Sequence, residues 1–272
     1  LHGDFRPGGH EREWCDPEVL RGLRRRSLAK LRREVEPVSP AAYARFLAGW
    51  QGIGNARTGS DRLRDVLLQL EGLPLPASVI EREVLPARVA NYQPRFLDEL
   101  GAAGEVAWVG RGSLGRDDGR IAIYRRERLF DLPAVGAGDA TPLQAAILSH
   151  LKTYGASFFA EIARATATHP KDVLEALWQL AWEGRVTNDT FSVLRALAYP
   201  RKAGAPAAPR SRASLVPPEA AGRWSLTQPA AETAESGTAR AHALATMLLE
   251  RYGVVTRETA AAEGISGGFA AV

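Results

Sequence analysis

Four prolines at helix starts, three of them behind a good N-cap, constrain this chain more than any other feature. Asp16-Pro17, Ser39-Pro40, Thr141-Pro142 and His169-Pro170 place proline at a first helical position. There its missing N–H is not needed and its fixed φ already suits the helix; Asp16, Ser39 and Thr141 offer a side-chain oxygen to the open amides. From Pro17 the spacing predicts a helix to about Glu36, with Leu20, Leu23, Leu28, Leu31 and Val35 as its apolar stripe and Pro37 as its stop. A second helix is expected over Pro40 to Trp50. Gly52, Gly54 and Gly59 then read as a flexible loop before a third helix, Ser60 to Glu71. Two shorter ones follow, near Ser78–Val89 and Pro94–Ala102.

The pattern changes at Glu105. Glu105–Val109 and Gly119–Arg125 read as strands of a hairpin around a Gly- and Asp-rich connection. Residues 141–199 then read as helix, turn, helix, turn, helix, the spacing of a winged helix. Leu143, Ile147 and Leu151 face inward on the first helix; Val173, Leu174, Leu177, Trp178, Ala181 and Trp182 do so on the third. Residues 200–237, rich in Pro, Ala, Arg and Ser, read as a flexible linker in which Trp224 docks on a neighbouring unit. Helical periodicity resumes at Ala239. Tyr252-Gly253 there aligns with Tyr154-Gly155, a weak internal repeat that makes the tail a second winged helix cut in its third element. The expected fold is mainly α with a small β component: tandem winged-helix modules plus a β-hairpin, joined by a Pro/Ala/Arg-rich linker. Its expected regions are 1–103, basic, helical and winged-helix-like; 104–140, hairpin and loop; 141–199, winged helix; 200–237, linker; and 238–272, the incomplete module.

Several function classes lose their support. The chain opens at Leu1, its one methionine is Met247, and an apolar segment has just begun at Phe269, so a piece of a longer polypeptide is expected. Apolar residues make up 45% and charged residues 24%, the balance of a globular protein, and no apolar run approaches the ~20 residues of a membrane span. No membrane partner is therefore expected. The single Cys15 fits a reducing compartment and a cytoplasmic location, and the scattered histidines give no zinc cluster. A phosphate-binding Walker loop needs glycine immediately before lysine, but Ala29, Leu151, Pro170 and Arg201 precede the four lysines. Ser113 lies in a strand connection, not a nucleophile elbow. No catalytic residue, metal or cofactor is assigned, and the chain alone is expected to be inactive.

Nucleic-acid binding has three candidate locations. The first is the helix carrying Arg21, Arg24, Arg25, Arg26, Lys30, Arg32 and Arg33, with no acid among them. Arg21, Arg25 and Arg32 line one flank of the stripe, and Arg26, Lys30 and Arg33 the other, so the helix could face phosphates. A solvated helix pairing with acids elsewhere explains the same run. The second is Trp50, at a helix end before the glycine loop, where an indole could stack on an unpaired base or fill a core. The third is the hairpin, with Arg111, Arg116 and Arg120, although Asp117 and Asp118 dilute its charge. The helix 170–183 presents Lys171, Asp172, Glu175, Gln179 and Glu183, mostly acidic, and is expected to be scaffold rather than sequence reader.

Ordered stretches along the chain resemble one family. They are Glu13-Trp14-Cys15-Asp16, Arg25-Arg26-Ser27-Leu28-Ala29, Trp50-Gln51-Gly52, Leu85-Pro86-Ala87-Arg88-Val89, Leu97-Asp98-Glu99-Leu100 and Gly104-Glu105-Val106-Ala107-Trp108. Further on come Val186-Thr187-Asn188-Asp189-Thr190, Gly222-Arg223-Trp224-Ser225 and Glu250-Arg251-Tyr252-Gly253. Together they resemble the Lhr-type large helicase-related proteins, superfamily 2 ATP-dependent helicases. The resemblance implies two RecA-like motor lobes before Leu1, using ATP and Mg, with this chain as the winged-helix and DEAD-associated region. It also implies 3′ to 5′ movement on single-stranded DNA, unwinding of DNA and RNA–DNA duplexes, and a role in DNA repair. A tryptophan stacking on the tracking strand is implied too; Trp50 fits by position, with Trp14 the second candidate. A stand-alone winged-helix regulator is the alternative, and it would want a basic recognition helix. Tandem winged helices also build DNA glycosylases with a Gln-x-Gln or Gln-x-Asp motif, but no glutamine here has Gln or Asp two residues on.

Overall fold

The structure, a computed structural model, describes residues 2–3, 13–34, 38–131, 139–199, 217–227, 237–265 and 267–271. It divides into two compact units, Leu1–Phe46 and Leu47–Val272. In the first unit, β1 (His2–Gly3) pairs antiparallel with β2 (Glu13–Trp14). Helix α1 (Pro17–Glu34) is capped by Asp16, whose Oδ1 accepts from the N–H groups of Glu18 and Val19 at 2.7 and 3.3 Å. Helix α2 (Pro40–Trp50) starts in the same way, with Ser39 Oγ accepting from Ala42 N–H at 3.2 Å, and runs on into the second unit. Both caps stand where the Asp-Pro and Ser-Pro pairs predict them.

The second unit opens with a winged helix. Helix α3 (Gly59–Gln69) leads to β3 (Leu75–Pro76), then to α4 (Ala77–Val79), which continues as a π-helical turn, Ile80–Val84. Helix α5 (Pro94–Ala102) and the hairpin β4 (Val106–Ser113) and β5 (Gly119–Arg125) complete it. The sheet order is β3-β5-β4, with Leu75 opposite Ile121. Leu63, Val66, Leu67, Leu97 and Leu100 from the helices meet Val106, Trp108, Ile121 and Ile123 from the hairpin in one core. The expected boundary at 103/104 therefore falls inside a module. The hairpin's inner face is the lid of the helical core, so neither part buries its apolar surface alone.

The next module repeats the plan. Helix α6 (Pro142–Tyr154), β6 (Ser157–Phe158), α7 (Phe159–Thr166) and α8 (Pro170–Trp182) are followed by β7 (Val186–Asn188), α9 (Ser192–Ala198) and β8 (Arg223–Leu226). A complete capping box opens α6: Thr141 Oγ1 accepts from Gln144 N–H at 3.3 Å, and Gln144 Oε1 accepts from Thr141 N–H at 2.9 Å. The sheet order is β6-β8-β7, so β8 is the central strand. This corrects the expected linker. Residues 200–216 and 228–236 lie outside the described residues, but 217–227 belong to the module. Trp224 is fully buried, edge-on to Trp178 at 5.5 Å. A four-residue strand is too short to carry a periodic signal of its own, and only its partners on both sides make it a strand.

Helix α10 (Gly237–Tyr252) and α11 (Arg257–Ala262) form the last portion. The repeat seen around Tyr-Gly has a backbone cause. Gly155 and Gly253 each end a first helix with positive φ, 73° and 69°, a conformation that glycine enters without the Cβ penalty.

Candidate nucleic-acid interface

On α1, Arg24, Arg25, Arg26 and Lys30 are exposed. Arg21 is partly occupied by its own helix: its Nε donates to Pro17 O at 3.3 Å, and its Nη2 lies 3.6 Å from the Glu18 carboxylate. The backbone of Arg32 and Arg33 continues the helix, and their side chains lie outside the described residues. Leu23, Leu28 and Leu31 are exposed between these cations.

Trp50 belongs to the second unit. The residue is 40% exposed, and its indole edge is tethered: Nε1 donates to Glu250 O at 2.9 Å. Its own carbonyl accepts from Gln69 Nε2 at 2.6 Å. Next to it, Gln51 Nε2 donates to Arg251 O, and Gln51 Oε1 accepts from Arg88 Nη2 at 3.3 Å. Beneath the loop lies Arg62, 6% exposed, whose Nε donates to Arg88 O at 3.1 Å. A Cβ on Gly52, where φ is +62°, would sit 1.9 Å from Arg62 Nη2. The loop expected to be flexible is thus pinned from below by Arg62 and from the side by α10. Burial, with Arg62 adding to it, pushes the Arg88 guanidinium below its ordinary pKa.

The α10 contact is anchored by buried charge. Arg251 is 2% exposed, donates to Glu71 O and lies 2.5 Å from the Glu263 carboxylate. The buried Glu71 carboxylate in turn accepts from Arg125 N–H at 2.8 Å and from its Nη2 at 3.0 Å. That side-chain hydrogen bond raises the Arg125 pKa. Sequence reasoning missed Arg62, Glu71, Arg88 and Arg251. The available signal was Arg62 standing in the apolar stripe of α3 beside Leu63, Val66 and Leu67, where a charge must find internal partners.

The helices that usually read DNA are occupied by packing between modules. On α8, Val173, Ala176, Leu177, Trp178, Leu180 and Ala181 are buried. Trp178 stacks on Trp108 of β4 at 6.1 Å. A Cβ on Gly110 would lie 1.9 Å from Ala181 O, and one on Gly119 would lie 2.5 Å from the Trp182 ring, so only glycine lets α8 lie this close to the hairpin. On α5, Asp98 pairs with Arg195 of α9, which also holds Glu81 at 2.7 Å. These groups border a groove of about 300 Å3 walled by Ile80, Leu97, Phe191 and Tyr199. Burial raises the Glu81 carboxyl above its ordinary pKa, opposed by Arg195.

Arg111 is not at the hairpin tip. It lies half-buried on β4, its Nη2 donating to Tyr124 Oη at 2.7 Å and its Cζ 5.8 Å from that ring's centre. Arg116 and Arg120 are exposed, while Asp118 turns inward to accept from Ser78 Oγ at 2.6 Å. Among the described residues, no group of three or more His, Cys, Asp or Glu could hold a metal, and no helix is long and apolar enough to cross a membrane.

Comparison with known proteins agrees with this architecture. Residues 38–126 and, separately, 234–272 match family models described as large helicase-related protein, winged-helix domain. The chain is 45% identical over 289 aligned positions to the "Lhr helicase/ probable uracil glycosylase" of Mycolicibacterium smegmatis, covering 99% of this chain. It is 36% identical over 296 positions to the "Lhr helicase/uracil glycosylase" of Escherichia coli, covering 94% of this chain. It spans 19% of the length of each of these relatives. With two winged helices of the same strand order, family models matched at 38–126 and 234–272, and near-complete coverage by both relatives, the chain belongs to the Lhr-type family of large helicase-related proteins.

Proposed function

We propose that this chain is the nucleic-acid-binding accessory region of an ATP-dependent 3′ to 5′ helicase that acts on DNA and RNA–DNA duplexes in DNA repair. Its role is to grip the tracking single strand and couple it to RecA-like motor lobes elsewhere in the same polypeptide. ATP and Mg would be held by those lobes, since no lysine of this chain follows a glycine. The observation that carries the reading is the use of α5 and α8 in packing between modules. A recognition helix that packs one face on the neighbouring hairpin and leaves Lys171, Asp172, Glu175 and Gln179 exposed on the other, half of them acidic, is poorly suited to reading base edges. The arginines of α1 and the partly exposed Trp50 suit backbone charge and unpaired bases. An indole anchored at its N–H edge, in a residue 40% exposed, is held in a fixed orientation, which favours stacking. This argues against the stand-alone regulator.

The relatives' names join helicase to uracil glycosylase. For this chain the accessory role serves both activities, because a motor needs a single strand to track and a glycosylase needs its target base out of the stack, which costs least in a single strand. The decisive experiment measures binding of the chain to a labelled single strand and to the same sequence as duplex. Preference for the single strand, lost steeply with salt, supports the reading; equal or sequence-dependent duplex binding sinks it.

A further inference from the structure

The corner between α6 and α7 carries two aromatic rings that the fold does not use. Tyr154 closes α6 and is 74% exposed; Phe158, across the Gly155 turn, is 54% exposed. His150 supports Tyr154 from one helical turn back, the ring centres 4.9 Å apart. Phe158 pairs in register with Arg223 of β8, an exposed cation whose Nε also donates to Asp189 Oδ2 at 2.8 Å, and Lys152 is exposed on the same end of α6.

The internal repeat supplies a control for these positions. Three residues after its helix-ending glycine, the last module has Thr256, and the middle module has Phe158. Thr256 does what a cap residue should, its Oγ1 accepting from Thr259 N–H at 3.2 Å. Phe158 occupies the cap of α7 and has no oxygen to offer; only its own N–H is satisfied, by Glu161 Oε2 at 2.8 Å. A phenyl placed where Ser, Thr, Asp or Asn belongs leaves the first amides of α7 without a side-chain acceptor and so weakens the helix start. The tyrosines differ in the same sense. Tyr252 bonds its hydroxyl to Glu263 at 2.5 Å and is half-buried, while the equivalent Tyr154 stands in solvent. Stability explains the last module's choices and not the middle module's.

We propose that Tyr154 and Phe158, flanked by Lys152 and Arg223, form a second surface on which unpaired bases of a single strand stack. Rings with a free face beside cations are the chemistry such strands recognise, and any base fits because every base has a π-face. The surface rests on the nucleic-acid reading above and adds a binding site in the middle module, outside 38–126 and 234–272.

The test uses the whole chain, a labelled oligothymidine and an otherwise identical strand of abasic sites, with fluorescence anisotropy as readout. Phe158→Thr restores the cap that Thr256 provides, so it removes the ring without endangering α7; Tyr154→Leu keeps an apolar helix end. Each is expected to weaken oligothymidine binding about fivefold to a hundredfold and to leave abasic-strand binding unchanged. If wild type binds and both variants match it, or if both strands lose affinity equally, the stacking surface is overturned. If wild type binds neither strand, the nucleic-acid reading itself fails and the surface with it.

Discussion

The indole Nε1 of Trp50 donates to the main-chain oxygen of Glu250 at 2.9 Å, a bond that joins residues 200 positions apart. It ties the end of α2 to the last turn of α10, and Gln51 repeats the tie on Arg251. Trp50→Phe should lose this bond and destabilise the joint by about 0.5–1.5 kcal/mol while keeping a ring that can stack. Trp50→Ala should lose both. Hydrogen exchange of the α10 amides is expected to quicken in both variants, and single-strand affinity to fall only in the alanine variant. Equal affinity in all three proteins would leave Trp50 as a joint between modules and nothing more.

Close approach of α8 to the hairpin depends on Gly110. Gly110→Ala pushes a methyl into Ala181 O and should lower stability by about 1–3 kcal/mol or more, because two backbones must separate. Gly49 provides the contrast: it lies inside α2 with nothing within 4 Å of its would-be Cβ. Gly49→Ala should therefore stabilise by roughly 0.5–1 kcal/mol. Thermal unfolding of the two variants beside wild type gives both signs in one experiment.

Replacing Arg24, Arg25 and Arg26 by glutamine tests α1. If these guanidiniums neutralise phosphates, the slope of log affinity against log salt should become shallower. The change expected on a single strand is about 0.7 for each phosphate that no longer has its cation. Thermal stability should hardly change, since the three side chains are exposed. An unaltered slope would return α1 to the role of a solvated helix.

The groove between α5 and α9 predicts a pH effect. Glu81 has a folded pKa above its ordinary 4.5, chiefly through burial. Between those two values the folded state holds more protons than the unfolded one, so stability falls as pH rises through that window. Glu81→Gln should flatten this dependence. Denaturation midpoints across the acidic range would show it, and a variant retaining the wild-type slope would assign the effect to another group.

Much of the architecture was legible because local chemistry specified it. Asp16, Ser39 and Thr141 cap the helices their Pro partners begin, and the helices over 142–154 and 170–182 follow from apolar spacing that any chain segment shows by itself. The Tyr-Gly repeat marked a real backbone recurrence for the same reason. The basic run on α1 and Trp50 at the end of α2 were visible as candidates, because charge density and position are sequence properties.

What the sequence could not settle was which segments complete one another. The hairpin belongs with the helices before it, and Arg223–Leu226 is the central strand of a sheet whose partners lie far back along the chain. A strand's pairing energy comes from neighbours that its own residues do not encode. Trp50 shows the same division: the sequence placed an aromatic ring beside a glycine loop, and the fold decided that Arg62 pins that loop and Glu250 takes the indole N–H. Burial and the hydrogen bonds between distant segments arise only when those segments meet, so tertiary structure sets them, whereas the helix caps are bonds between neighbours and were legible.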